Sequence, residues 1–105
     1  MTAPLVLLVD DDAELGEVLQ FLLEREGYRS HWVRDASVAL DVMPVLRPSL
    51  VVAELMLPVM GGLELIETTP RMIAMSSSWQ LLRQALDRGA DSVVHKPFTP
   101  DGFLD

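Results

Sequence analysis

Short apolar runs alternate along this chain with longer stretches in which apolar residues recur at helical spacing. The run at 5–9 is too brief for a helix and is rich in branched side chains. Such a run is typical of a strand that is buried on both faces of a parallel sheet. The runs at 50–53 and 72–75 repeat this pattern, and two further strands are predicted at 28–33 and 92–95.

The stretches between these strands predict helices. Residues 13–26 carry an apolar stripe at helical spacing, and Asp11 and Glu14 stand at the spacing of a capping box. A second helix begins near residues 35–37 and should end or kink at Pro44. The remaining helical stretches are 63–67 and 79–88. Because strands and helices alternate, the chain is predicted to form an α/β fold with helices on both faces of a parallel sheet.

The composition excludes several classes of protein. A chain of 105 residues is the size of one domain, so 1–105 is predicted to be a single domain. The net charge of −8 argues against a nucleic-acid surface, because phosphate binding needs clustered lysine and arginine. The absence of cysteine excludes disulfides and is compatible with a cytoplasmic protein. No apolar run approaches the roughly 18 residues of a membrane span, and no basic region typical of a secretory signal precedes the first run.

Polar residues follow four of the predicted strands. They are Asp10, Asp11 and Asp12 after the first run, Glu54 after the third, the serines from Ser76 after the fourth, and Lys96, the single lysine of the chain, after the last. Because the carboxyl ends of parallel strands share one edge, these groups should converge there. Paired acids can hold Mg²⁺, and an ammonium can neutralise a phosphoryl group. A hydroxyl can bond a phosphoryl oxygen, and a central carboxylate can be the nucleophile. The set therefore suits phosphoryl chemistry.

The order and placement of four short motifs resemble the receiver domain of two-component response regulators. The motifs are Val9-Asp10-Asp11-Asp12, Leu55-Met56-Leu57-Pro58 with Gly62, Gly89-Ala90-Asp91, and Lys96-Pro97-Phe98. The resemblance implies a flavodoxin-like, doubly wound sheet of five parallel strands in the order 2-1-3-4-5. It also implies a cytoplasmic domain that a histidine kinase phosphorylates on an aspartate in the presence of Mg²⁺.

The same resemblance assigns roles to individual positions. Asp10 and Asp11 match the acid pair that binds the metal, with the residue at position 54 as the third ligand. Ser76 matches the family's hydroxyl, but as the first of three serines it could instead cap the helix that follows. Lys96 matches the family's lysine, and the bond between Lys96 and Pro97 is expected to be cis.

The departures from the family pattern change the expected function. The phosphoacceptor position holds Glu54 rather than aspartate. The extra methylene moves the carboxylate by roughly 1.5 Å, a displacement that can cost about 10²-fold in rate. Little or no phosphorylation is therefore expected. Two alternatives remain open for Glu54: a structural ion pair with Lys96, or a permanent imitation of the phosphorylated state.

Two further departures concern the helices. The segment from 62 to 76 is shorter than usual, which predicts a shortened third helix. The sequence ends at Asp105, where the last helix should begin, so that helix is expected to be truncated or missing. One sheet face would then be partly bare, and a homodimer or docking onto a partner is expected.

These observations favour an atypical receiver domain that is independent of phosphorylation and works as a protein-interaction or switch module, not as an enzyme. Its expected partners are a histidine kinase or another signalling protein, with neither nucleic acid nor membrane. One alternative is a conventional phosphoacceptor receiver. Another is a small Mg²⁺-dependent phosphohydrolase, because Asp10, Asp12, Ser76 and Lys96 loosely resemble the first motifs of haloacid-dehalogenase-type phosphatases. The further acid pair of that family is missing after the lysine.

Overall fold

The structure is a computed structural model that describes residues 3–57, 61–69 and 71–97. Within these residues, five parallel strands form one sheet in the order β2-β1-β3-β4-β5. The strands are β1 (Leu5–Val9), β2 (Arg29–Val33), β3 (Leu50–Glu54), β4 (Met72–Ser76) and β5 (Ser92–His95). The predicted order and the all-parallel pairing are confirmed.

Three α-helices and one 3₁₀ helix connect the described strands. They are α1 (Ala13–Arg25), α2 (Ala36–Leu46), the 3₁₀ helix (Gly62–Thr68) and α3 (Trp79–Arg88). The 3₁₀ helix stands where a third α-helix was expected in shortened form, which confirms that prediction. The prediction of a truncated or missing last helix concerns residues 98–105, which lie outside the described residues.

The sheet has an apolar core on each face, as the doubly wound architecture requires. On one face, α1 contributes buried leucines that pack on β1, β3 and β4 through Leu8, Val52 and Met75. On the other face, α2, α3 and the 3₁₀ helix pack on the same strands through Leu7, Val51 and Ala74 among others. All five residues of β1 are buried.

Side-chain caps fix where the helices begin. Asp12 is the N-cap of α1 and accepts a hydrogen bond from the backbone N–H of Leu15 over 3.2 Å. The helix begins at Ala13 as predicted, but the capping-box spacing had indicated Asp11, and the side chain that accepts the N–H is that of Asp12. Such a cap satisfies a backbone donor that has no partner within the helix.

The second helix passes through its proline. Pro44 was predicted to end or kink the helix, and it does not end it, because α2 continues to Leu46. Proline has no N–H to donate to the carbonyl four residues earlier, and its ring crowds that carbonyl. The chain then turns at Arg47, whose φ of 49° lies in the left-handed region.

None of the described helices is long and apolar enough to cross a membrane.

Candidate functional site

Asp10 lies directly beyond β1, and backbone contacts fix it at the carboxyl edge of the sheet. Its N–H donates to the carbonyl oxygen of Val33 in β2 over 3.1 Å. Its carboxylate is almost fully buried, with 1% of the side chain exposed. Oδ1 accepts a hydrogen bond from the N–H of Asp12 over 2.9 Å, so the turn into α1 folds back on the carboxylate.

Glu54 is the last residue of β3 and lies at the same edge. Its side chain is 9% exposed. Oε1 accepts the N–H of Met56 over 3.1 Å, which ties the carboxylate to its own loop. Gly62 closes that loop by donating its N–H to the carbonyl oxygen of Leu55 over 3.0 Å.

Lys96 bridges the two carboxylates. Its Nζ lies 2.7 Å from Oδ2 of Asp10 and 2.6 Å from Oε2 of Glu54. Its backbone N–H donates to the carbonyl oxygen of Ser76 over 2.9 Å, and the bond to Pro97 is cis, as expected. We call Asp10, Lys96 and Glu54 the ion triad. Two carboxylates and one ammonium give the triad a formal charge of −1.

The triad changes the pKa of its lysine. Burial by itself lowers the pKa of Lys96, because an ammonium loses hydration away from bulk water. The hydrogen bonds to Asp10 and Glu54 and the charges of both carboxylates act in the opposite direction and prevail. The pKa of Lys96 is therefore raised above the ordinary lysine value, and the residue remains an ammonium at neutral pH.

Ser76 and Asp11 lie at this edge, but their side chains do not bond to the triad. The Ser76 hydroxyl is buried and accepts the N–H of Ser78 over 3.0 Å. Ser78 in turn caps α3 by accepting the N–H of Leu81. Across the described residues, neither Ser76 nor Asp11 forms a side-chain hydrogen bond with the triad, and Asp11 is exposed to solvent.

A cavity of about 330 Å³ opens beside the triad. Its lining includes Lys96 and Pro97 together with Asp12, Leu15 and Ser77. Solvent therefore reaches the triad from the side of the α1 N-terminus, where Asp12 adds further negative charge.

Comparison with known protein families identifies the kind of domain to which this site belongs. The family model described as response regulator receiver domain matches residues 6–105. The chain belongs to the response regulator receiver domain family. Its fold and the family match thus place it among the receiver domains of two-component signalling, which are generally signalling modules with weak phosphotransfer activity rather than enzymes.

Curated relatives of this receiver domain are longer proteins. The DNA-binding response regulator MtrA of Mycobacterium tuberculosis is 34% identical over 102 residues, which are 90% of this chain and 45% of that protein. The alkaline phosphatase synthesis transcriptional regulatory protein PhoP of Bacillus subtilis is 31% identical over 103 residues, which are 90% of this chain and 43% of that protein. The chain therefore spans about half the length of these relatives.

Solved receiver structures resemble the fold closely. The non-phosphorylated HemR receiver domain from Leptospira biflexa has a TM-score of 0.86 and 31% identity, and the match covers 96% of this chain and 88% of that one. The chemotaxis response regulator CheY4 of Vibrio cholerae has a TM-score of 0.89 at 22% identity, with 98% and 94% covered. The second likeness shows the fold alone.

Receiver domains typically bind Mg²⁺ at their phosphorylation site. The metal ligands predicted here are Asp10, Asp11 and Glu54. In the structure, one oxygen of Asp10 and one of Glu54 contact Lys96, and the other oxygen of each accepts a backbone N–H. No group of three or more acidic or histidine side chains within the described part of the chain is arranged to hold a metal ion. Asp10, Asp11 and Glu54 are therefore not grouped around a common metal position in the described part of the chain, and the metal site stays a prediction.

Three aromatic residues near the receiver's site were missed as contributors from the sequence. The indole N–H of Trp32 donates to the carbonyl oxygen of Asp10 over 2.8 Å. The rings of Trp79 and His95 stack with 4.1 Å between their centroids, and His95 Nε2 lies 3.0 Å from the carbonyl oxygen of Ser77. The predicted strand order places β2 beside β1 and β5 beside β4. This order was the one feature of the sequence analysis from which these contacts could have been expected.

Proposed function

We propose that this receiver domain is a phosphorylation-independent interaction or switch module, in which Glu54 forms a fixed ion pair with Lys96 instead of accepting a phosphoryl group. The observation that carries this proposal is the 2.6 Å contact between Glu54 Oε2 and Lys96 Nζ. A carboxylate that attacks a phosphoryl donor needs a free oxygen in contact with that donor. Both oxygens of Glu54 are engaged, and its side chain is almost fully buried.

The charge of the site supports the same proposal. The triad carries a formal charge of −1, and Asp11 and Asp12 lie beside it as exposed acids. A phosphoryl group would add more negative charge to an edge whose only lysine is already shared between two carboxylates. An ion pair leaves the edge closer to neutrality than a phosphoryl adduct would.

An ion pair accounts for the contacts of Ser76 better than phosphoryl mimicry does. A permanent imitation of the phosphorylated state would require the anion to engage the family's hydroxyl. The Ser76 hydroxyl accepts the N–H of Ser78 instead, and Glu54 turns its second oxygen to Met56. We therefore favour the structural ion pair over the mimic.

Treatment with acetyl phosphate and Mg²⁺, followed by intact-mass measurement, tests the proposal. We expect no phosphoryl adduct on the native chain and an adduct on Glu54→Asp, because the shorter side chain withdraws from Lys96 and restores the family's phosphoacceptor. Glu54→Gln is the matched control, since it keeps the length of glutamate without a nucleophilic carboxylate. An adduct on the native chain that is absent from Glu54→Gln would overturn the proposal.

For partners, we propose a histidine kinase or another signalling protein. Receiver domains interact with such proteins as a family. MtrA is named as a DNA-binding regulator, but this chain carries a net charge of −8, which disfavours nucleic acid on its own surface. We also propose that 1–105 form one domain able to dimerise. Sedimentation showing only monomer at micromolar concentration would contradict the dimer.

A further inference from the structure

Trp32 holds the main chain of a triad residue. It is the fourth residue of β2 and pairs in register with Leu8 of β1. The β1–β2 ladder ends at the pair of Val9 and Val33, so Asp10 lies one residue beyond it. The N–H of Asp10 reaches back to Val33, and the indole N–H of Trp32 donates to its carbonyl oxygen over 2.8 Å. Both main-chain groups of Asp10 are thus bonded to β2.

The indole is itself held in place by its neighbours. A Cβ atom added to Gly16 would lie 2.7 Å from Cε2 and 2.8 Å from Nε1 of Trp32, so the backbone of α1 lies directly against the ring. The guanidinium of Arg34 lies over the ring, with 5.7 Å between its carbon and the ring centroid. Contacts closer than 3 Å are essentially excluded for a real Cβ, so only glycine allows this approach of helix and ring.

The carbonyl bonded by Trp32 belongs to the peptide that joins Asp10 to Asp11. The position of the Asp10 carboxylate depends on this peptide, because Oδ1 of Asp10 accepts the N–H of Asp12, and rotation of the Asp10–Asp11 peptide would displace that N–H. A buried carbonyl without a donor is also costly, and the sheet offers none beyond the end of the ladder. The indole supplies the donor that the ladder lacks.

We propose that Trp32 is a positioning residue that fixes the Asp10–Asp11 peptide and thereby keeps the Asp10 carboxylate within bonding distance of Lys96. This inference rests on the proposed function, since the ion triad is the site whose geometry it sets. The competing explanation is that Trp32 only fills space between the sheet and α1. The two explanations differ in the role of the indole N–H, which packing alone does not need.

The single lysine of the chain makes the test direct. Labelling with ¹⁵N-lysine gives one side-chain ammonium signal, that of Lys96, and its hydrogen exchange with water reports how firmly the triad holds it. Trp32→Phe retains an aromatic ring but loses the donor. We expect the exchange rate to rise by about fivefold, the effect of one lost hydrogen bond. Gly16→Ala, which pushes the ring away from its place, should raise the rate in the same direction.

A matched control separates positioning from stability. Val6→Ala removes buried methyl groups from the same face of the sheet at the far end of β1. It should lower the urea midpoint while leaving the exchange of Lys96 unchanged. If Trp32→Phe lowers the midpoint and leaves the exchange equal to that of Val6→Ala, Trp32 is a packing residue and the proposal is wrong. If Trp32→Phe does not fold, Gly16→Ala takes its place, and its Lys96 exchange and urea midpoint are compared with those of Val6→Ala in the same way.

This test and the acetyl phosphate test fail separately. A phosphoryl adduct on the native chain would overturn the proposed function and leave the exchange comparison intact. Unchanged exchange in Trp32→Phe would overturn the role of Trp32 and leave the ion pair between Glu54 and Lys96 in place.

Discussion

Among the described residues, the closest ion pair joins Glu54 to Lys96, with 2.6 Å between Oε2 and Nζ. The proposed function rests on this contact. The Glu54 side chain reaches the ammonium and still lets its other oxygen accept the N–H of Met56. The contribution of this ion pair to stability can be measured.

Removal of the ammonium should destabilise the fold strongly. Lys96→Met leaves Asp10 and Glu54 as buried carboxylates without a cation, and we expect the free energy of unfolding to fall by about 3 kcal/mol at neutral pH. Urea unfolding followed by circular dichroism measures the change. The double variant Lys96→Met with Glu54→Gln should recover part of the loss, because one uncompensated charge is gone. A double variant that is no more stable than Lys96→Met would contradict this account.

The raised pKa of Lys96 predicts a loss of stability at alkaline pH. A group whose pKa is higher in the folded state stabilises that state fully below its unfolded pKa, which is about 10.4 for lysine. The contribution disappears as the pH rises through the folded pKa. The difference in unfolding free energy between the native chain and Lys96→Met should therefore shrink above about pH 10.4. A difference that stays constant to about pH 12 would refute the prediction.

Asp35, the N-cap of α2, should contribute to stability in a way that is lost at acid pH rather than at alkaline pH. The pKa of Asp35 is lowered by the hydrogen bond from the N–H of Val38 and then by that from the Ser37 hydroxyl. Its contribution is present above the ordinary aspartate pKa of about 3.9 and is lost as the pH falls through the lower folded pKa. Asp35→Asn keeps an acceptor at the cap but should abolish this pH dependence. Thermal unfolding at neutral and acid pH measures it, with the exposed Asp41→Asn as the control in the same helix.

Two adjacent glycines after β3 should respond very differently to alanine. A Cβ at Gly62 would collide with the carbonyl of Glu54 and lie 2.8 Å from the Cα of Leu55, whereas at Gly61 the nearest atom is 3.6 Å away. Gly62→Ala should cost about 2 kcal/mol of stability, because backbone atoms cannot yield as a flexible side chain does. Gly61→Ala should change stability by less than about 0.5 kcal/mol. Equal urea midpoints for the two variants would show that the loop adjusts freely.

Much of the fold and of the triad could be predicted because each depends on local pattern plus one topological rule. The runs ending at Asp10 and Glu54 are strands by composition, and parallel pairing brings their ends together with Lys96. The contact of Glu54 with Lys96 was therefore among the expected alternatives. The same rule placed Ser76 at the edge, but it could not show that Ser78 would take its hydroxyl.

Other features depend on how elements pack, which the sequence pattern does not record. The bond from Trp32 to Asp10 lies where α1 approaches the sheet so closely that Gly16 meets the indole, and this approach follows from the packing of the whole core. α2 passes through Pro44, and on either side of the proline Met43 and Leu46 pack on the core. Propensity alone favours a stop at proline, and packing overrides it.

The triad also affects how the chain assembles. Asp10 and Lys96 are 86 residues apart, and Glu54 lies between them in sequence. A partly folded chain in which β1 has paired with β3, but β5 has not docked, places two carboxylates in a poorly solvated edge without their cation. Such a species is electrostatically unfavourable, because a buried charge without a partner is costly. Lys96 therefore stabilises the two carboxylates only when the sheet is complete. Partly folded states without β5 lack this stabilisation.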